Sequence, residues 1–153
     1  MPGYNLANCR DSLMADLNIE DIIPHRDRMS LLGEIIDITP ESAVTTATVE
    51  RDWPLCDGQS VSPVILIEVV AQSAAAVEGW KRKKAGKSGG KGWLVGIKSA
   101  RFNVPAIAVG NKLVTSVGSA YSFDNYGVVE GTVKCGDEIL AVIVLQALRM
   151  NDD

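Results

Sequence analysis

Ser62-Pro63-Val64-Ile65-Leu66-Ile67-Glu68-Val69-Val70-Ala71-Gln72-Ser73, continuing as AAAVEGWKRKK to Lys84, is the most informative stretch of the chain. Pro63 suits the first position of a helix, where a missing N–H has no intrahelical partner to lose, and the Ser62 hydroxyl can cap the turn. Nothing interrupts a helix from there to Lys84, a rod of roughly 30 Å at 1.5 Å per residue. Its first four turns are apolar on nearly every side, which predicts a buried helix rather than one lying on a surface. A membrane span is excluded, because Glu68, Gln72 and Ser73 interrupt the run well short of the ~20 apolar residues that a bilayer requires.

On both sides of this helix the sequence turns to strands. Met29 to Ile38 and Ala43 to Glu50 are rich in β-branched residues, and Thr39-Pro40-Glu41-Ser42 between them predicts the turn of an antiparallel pair. Ahead of them, Ile19 to Arg28 mixes Pro, His and charges and predicts a short irregular or one-turn helical lead-in. Arg51 to Ser62 has the Pro, Gly, Asp and Ser content of a loop, and Ala85 to Gly92 reads as a flexible Gly/Lys/Ser connection. Four more strands are expected, at Trp93–Phe102, Lys112–Tyr121, Gly127–Lys134 and Ile139–Leu148, with Gly136-Asp137 as a two-residue hairpin turn. Strands, one long buried helix, then strands again predict an α+β protein with one antiparallel sheet packed on a central helix. The expected organisation is an N-terminal extension at 1–18 and a single domain at 19–150.

Composition narrows the function. The chain has 153 residues, 46% of them apolar, enough for one core. Cys9, Cys56 and Cys135 show neither metal-ligand nor disulfide-framework spacing, which suits a reducing compartment. The N-terminal residues lack the apolar segment of a signal peptide, and Met14 is an alternative start, so a cytoplasmic location is expected. A formal charge of −4 disfavours a general nucleic-acid binder, which needs an excess of Lys and Arg to neutralise phosphates.

Three motifs then carry a resemblance, spanning roughly Ile19 to Leu148. Ile23-Pro24-His25-Arg26 followed by Leu31-Leu32, the helix segment Pro63–Gln72 with Glu68 and Gln72 four apart, and Lys98-Ser99-Ala100-Arg101-Phe102 followed by Pro105 and Val109-Gly110-Asn111-Lys112-Leu113 resemble, in order, signatures of the hotdog-fold 3-hydroxyacyl-ACP dehydratases. The resemblance implies a sheet wrapped around the central helix and a double-hotdog dimer, with homodimer, higher oligomer or a hetero-oligomer with another hotdog subunit all open. It implies acyl thioesters as ligands, carried on the phosphopantetheine of acyl carrier protein or coenzyme A, with no metal or redox cofactor. Glu68 and Gln72 become the expected catalytic pair, and Asp57, Gln59, Val64 and Phe102 the expected substrate-binding residues.

One departure is conspicuous. Dehydratases of the family carry a catalytic His in a "GHFPxxPxxPG" loop ahead of the helix. Here the equivalent stretch is the shorter Asp57-Gly58-Gln59-Ser60-Val61-Ser62-Pro63, with Gln59 nearest the place of the His. An amide is no base near neutral pH. The Gly whose N–H holds the thioester carbonyl in the family falls on Pro63, which has none, so a donor must come from Val64 or the loop. A divergent branch with such a shortened loop exists, and the chain looks closer to it.

Each candidate has a plainer reading beside the functional one. Glu68 in an apolar run is costly to bury unless paired or protonated, and Gln72 one turn on can orient it; pairing with Arg101 or a lysine is the structural alternative. His25, the only imidazole, reads as a residue that fixes the lead-in turn. Asp57, Ser60 and Ser62 read as turn formers and caps, although one could serve a thioesterase-like site. Lys81, Arg82, Lys83, Lys84, Lys87 and Lys91 suit either the helix C-terminus or a phosphate or acidic carrier protein. Gly86-Lys87-Ser88 lacks the earlier Gly of a phosphate loop and runs from helix to strand, so that reading is rejected. A dehydratase-like enzyme, a hotdog thioesterase and a non-catalytic partner subunit therefore stand as the three functional classes.

Overall fold

The computed structural model describes residues 17–23, 25–87 and 92–149. Two helices, α1 (Ile19–Ile22) and α2 (Ile65–Lys84), accompany eight strands: β1 (Ile35–Ile38), β2 (Ser42–Thr48), β3 (Ser60–Val61), β4 (Gly92–Phe102), β5 (Ile107–Ala108), β6 (Lys112–Phe123), β7 (Tyr126–Cys135) and β8 (Glu138–Arg149). Six of the strands form one sheet in the order β1-β2-β6-β7-β8-β4, antiparallel throughout, and β3 pairs with β5 apart from it. Helix α2 lies against β2, β6, β7, β8 and β4. This is the hotdog arrangement, a curved sheet with one helix along its inner face.

Alternation along the strands builds the core. In β6, Leu113, Thr115 and Val117 point inward, and their counterparts on β2 are Ala43, Thr45 and Ala47. Leu113, Val117, Ala43 and Ala47 meet Leu66, Val69, Val70 and Ala76 of α2, together with Ile143 and Leu145 of β8, in one cluster. The small polar groups inside are satisfied: Thr45 Oγ1 and Ser73 Oγ lie 2.8 Å apart, and Ser73 donates back to the Val69 carbonyl. Gly131 on β7 lets the helix approach. A Cβ there would stand 2.5 Å from Val70 Cγ1, closer than packed carbons come.

The strands at 42–48, 92–102 and 112–149 lie within a few residues of the expected positions, and Gly136 at φ +59° makes the two-residue turn into β8. Four expectations are corrected. Met29 to Ile38 is not one strand: Asp27–Met29 forms a 3-10 turn and β1 begins only at Ile35. The reason is a buried side chain, because Leu31 N–H is taken by Gln72 instead of by a neighbouring strand. Helix α2 begins at Ile65 rather than Pro63, since Ser62 and Pro63 carbonyls accept from Ile65 and Leu66 in i→i+3 turns. The loop at 51–62 contains a strand, β3, whose register Ser60↔Ala108 and Val61↔Ile107 fastens it to β5.

The fourth correction concerns the burial of α2. Ile65, Leu66, Val69, Val70, Gln72, Ser73, Ala76 and Val77 are buried, but Ile67, Glu68, Ala71 and Ala75 are only partly covered and Val64 is exposed. Within a single chain the sheet covers one side of the helix and leaves a half-open apolar stripe along the other. Edge strand β4 is similarly bare, with Leu94, Val95 and Ile97 each about half exposed.

Candidate active site around Glu68

The site forms where the lead-in crosses α2. Helix α1 is a single turn, capped by Asn18 Oδ1 accepting from Glu20 N–H at 3.1 Å. It packs on α2 at Gly79, where a Cβ would fall 1.8 Å from the Ile22 carbonyl oxygen. Only glycine allows the two backbones so close. Beyond α1, the Arg26 guanidinium donates to the carbonyls of Ile23 at 2.7 Å, His25 at 2.8 Å and Glu20 at 2.6 Å, which folds the segment back on itself. Arg28 Nε reaches the Asp52 carbonyl at 2.9 Å and ties the far end to the loop before α2.

Gln72 then clamps this segment to the helix. Its Oε1 accepts from Leu31 N–H at 3.0 Å, while its Nε2 donates to the Met29 carbonyl and, at 3.0 Å, to Glu68 Oε1. The amide is wholly buried, and both of its ends are used. His25 Nε2 lies 3.3 Å from the same Glu68 Oε1. His25 Nδ1 is enclosed and has no hydrogen-bond partner among the described residues. Glu68 Oε2 takes part in none of the hydrogen bonds or ion pairs of the described residues. The side chains of Glu68 and His25 are 30% and 25% exposed, so a ligand can reach them. The expectation of a deeply buried carboxylate is corrected accordingly: Glu68 sits at the border of the half-open stripe. Among the described residues, neither Arg101 nor a lysine pairs with it.

Other expected site residues are placed differently. Asp57 Oδ1 accepts from the N–H groups of Gln59 and Ser60, both at 2.9 Å, and the Asp57 N–H pairs with the Ser60 carbonyl. These bonds, Ser60's first and Gln59's second, hold the Asp57 carboxyl below its ordinary range. Asp57 is thereby a turn former with Gly58 at φ +101° beside it, and among the described residues no hydrogen bond or ion pair joins Asp57 or Gln59 to Glu68. Gln59 contributes its carbonyl to Val109 N–H at 2.9 Å. Val64 N–H, the donor expected in place of the family Gly, has only a long 3.4 Å contact with Ser62 Oγ and is open to a stronger acceptor. Phe102 ends β4 half-buried against the core.

The basic cluster is largely occupied with the chain itself. Lys81 pairs with Glu78 at 3.2 Å, Lys83 with Asp21 at 3.8 Å, and Lys84 Nζ lies 4.2 Å from the Trp80 ring centroid. Lys91 falls outside the described residues. Among the described residues, no group of three or more His, Cys, Asp or Glu could hold a metal ion, and no helix is long and apolar enough to cross a membrane.

A hotdog sheet around a helix that presents a Gln-held carboxylate beside its own N-terminus defines an acyl-thioester protein of the dehydratase kind. The comparisons agree. The ApeP-like family, described as ApeP dehydratase, matches residues 17–153. The 3-hydroxyacyl-[acyl-carrier-protein] dehydratase FabZ of Allorhizobium ampelinum is 31% identical over 140 residues, covering 84% of this chain and 88% of the relative. FabZ of Cereibacter sphaeroides is also 31% identical, over 145 residues, 86% of this chain and 92% of the relative. Among solved structures, the dehydratase heterocomplex ApeI:P from Xenorhabdus doucetiae superposes with a TM-score of 0.79 at 27% identity, covering 89% of this chain and 93% of that one. The chain belongs to the ApeP-like dehydratase family, and it is a 3-hydroxyacyl-ACP dehydratase-like protein.

Sequence reasoning missed His25 as part of this site. The residue is 43 positions from Glu68, and no periodicity links a lead-in turn to a helix face. Its one visible signal was the Pro24-His25-Arg26 match to the family.

Proposed function

We propose that this chain binds a 3-hydroxyacyl thioester on the phosphopantetheine of acyl carrier protein or coenzyme A in the cytoplasm. Glu68 removes water from it, Gln72 orients the carboxyl, and no metal or redox cofactor takes part. The observation that carries this reading is the Glu68 carboxyl itself: Oε1 is held by Gln72, Oε2 is uncommitted among the described residues, and the group is open to a ligand one helical turn from the weakly engaged Val64 N–H. In the reaction, Oε2 takes the α-proton while the C–H electron pair moves toward the thioester carbonyl, whose developing charge suits the donor at the helix start. The electrons return to form the α,β-double bond, the β-hydroxyl departs, and the same proton leaves Oε2 with it as water.

The half-open stripe of α2 and the bare edge of β4 support an assembly of at least two hotdog chains. The solved relative that is itself a heterocomplex favours a second, different hotdog subunit over a homodimer.

Absorbance of the enoyl thioester, followed with short- and medium-chain 3-hydroxyacyl pantetheine substrates alongside free-thiol release and light scattering, tests the reading. Turnover is expected, and Glu68→Gln should lower it by about 10²–10⁴-fold, the usual worth of a general acid–base group. Full turnover in Glu68→Gln sinks the assigned role. Thiol release without enoyl formation means a thioesterase, binding without turnover means a non-catalytic partner subunit, and a monomeric mass refutes the assembly.

A further inference from the structure

The geometry points to His25 as the positioning residue of Glu68, supplied by the lead-in of the same chain rather than by the loop ahead of the helix. This inference rests on the dehydratase reading of Glu68 and adds a member to its site. Three observations carry it.

First, the contact is specific. His25 Nε2 is 3.3 Å from Glu68 Oε1, the oxygen that Gln72 Nε2 also approaches at 3.0 Å. An ionised carboxylate offers only acceptors, so the imidazole must present an N–H at Nε2 to bond it. With Gln72 Nε2 and His25 Nε2 both on Oε1, that oxygen is engaged and Oε2 is left for the substrate. Throughout the elimination the His25 proton stays on Nε2, so the proton that Oε2 lifts and returns is the only one exchanged.

Second, the far side of the ring agrees. Nδ1 is enclosed without a partner among the described residues. An enclosed N–H lacking an acceptor costs more than an enclosed bare ring nitrogen, since a buried donor without a partner carries the full desolvation penalty. The neutral tautomer with its proton on Nε2 therefore leaves only a bare ring nitrogen unpartnered, the less costly of the two cases, and it is the tautomer that can hold Glu68.

Third, the lead-in is built to hold His25 in place. Arg26 bonds the carbonyl of His25 itself and those of Ile23 and Glu20 before it, Ile22 sits against Gly79, and Met29 and Leu31 are clamped by Gln72. A plain turn needs none of this alignment with the carboxylate. Gln59, which stands in sequence where the family loop carries its His, has no hydrogen bond to Glu68 among the described residues.

His25 is the only histidine, so the imidazole ¹⁵N spectrum of the full-length protein contains a single residue. Recorded at about pH 8, where a free imidazole is neutral, it should show a protonated Nε2 and a bare Nδ1, with the Nε2 resonance moving in Glu68→Gln. In turnover, His25→Leu should lower kcat by about tenfold to a hundredfold, the scale of a misaligned reacting group, with KM little changed. His25→Gln, whose side-chain N–H can stand in for Nε2–H, should restore most of it. A proton on Nδ1, or a spectrum indifferent to Glu68→Gln, overturns the inference whether or not the chain turns substrate over. His25→Leu with full kcat, when Glu68→Gln is inactive, overturns it while leaving the proposed function standing.

Discussion

Replacing Gln72 by methionine, which has a similar reach and no hydrogen-bonding amide, tests whether one buried side chain holds the lead-in on the helix. Gln72 is fully buried and makes three bonds: it accepts from Leu31 N–H and donates to the Met29 carbonyl and to Glu68 Oε1. In Gln72→Met the Leu31 N–H is left without a partner at a residue that is itself only 3% exposed, which costs about 1–3 kcal/mol. Met29 is largely exposed, so its carbonyl can turn to water and forfeits only the ~1 kcal/mol net worth of a bond. Burying a thioether in place of an amide offsets part of this. The net is a loss of about 2–3 kcal/mol, or about 4–12 °C in Tm for a chain of this size. Thermal unfolding at one fixed protein concentration measures it, because assembly makes Tm concentration-dependent. Hydrogen exchange at the Leu31 amide reads the same event locally, and protection there should fall while strands β6 to β8 keep theirs. A Tm within about 1 °C of the parent, with Leu31 still protected, would refute the clamp and with it the physical basis for His25 meeting Glu68.

Two further predictions concern packing and charge. Gly131→Ala should destabilise by about 1–3 kcal/mol, because its Cβ would overlap Val70, and the double variant with Val70→Ala should recover part of that loss in chemical denaturation, as overpacking requires. For Asp57 the sign runs with acid: its carboxyl titrates below the unfolded value of 3.8, so its contribution to stability is present above that value and is lost as pH falls through the folded one. In Asp57→Asn the dependence of Tm on pH below about 4 should flatten, and an NMR titration of the Asp57 carboxyl that places it above 3.8 would contradict the turn described here.

Much of the framework could be read from local pattern. The period of the strands, the Gly136-Asp137 turn and the long apolar run closed by lysines each depend on neighbours within a few positions. So does the pairing of Glu68 with Gln72, four apart on one helix face. The sequence by itself determined the element order, the antiparallel α+β layering and the dehydratase resemblance, and it singled out Glu68 as the candidate carboxylate.

Tertiary structure decided the rest, because it depends on groups far apart in the chain. Leu31 and Leu32 have the apolar character of a strand, yet the Leu31 N–H finds a side-chain acceptor on α2, so the ladder starts four residues later. The burial of α2 follows from how much of the helix one sheet can cover, which no local period reports. Asp57, read as a substrate-binding residue, spends its carboxylate on its own turn. His25 reads as a turn-fixing residue until Gly79 admits the lead-in and Gln72 clamps it, and then its imidazole stands on Glu68. Hydrogen-bond satisfaction and close backbone approach between segments some 40 to 60 residues apart select that arrangement, and they are properties of the folded chain.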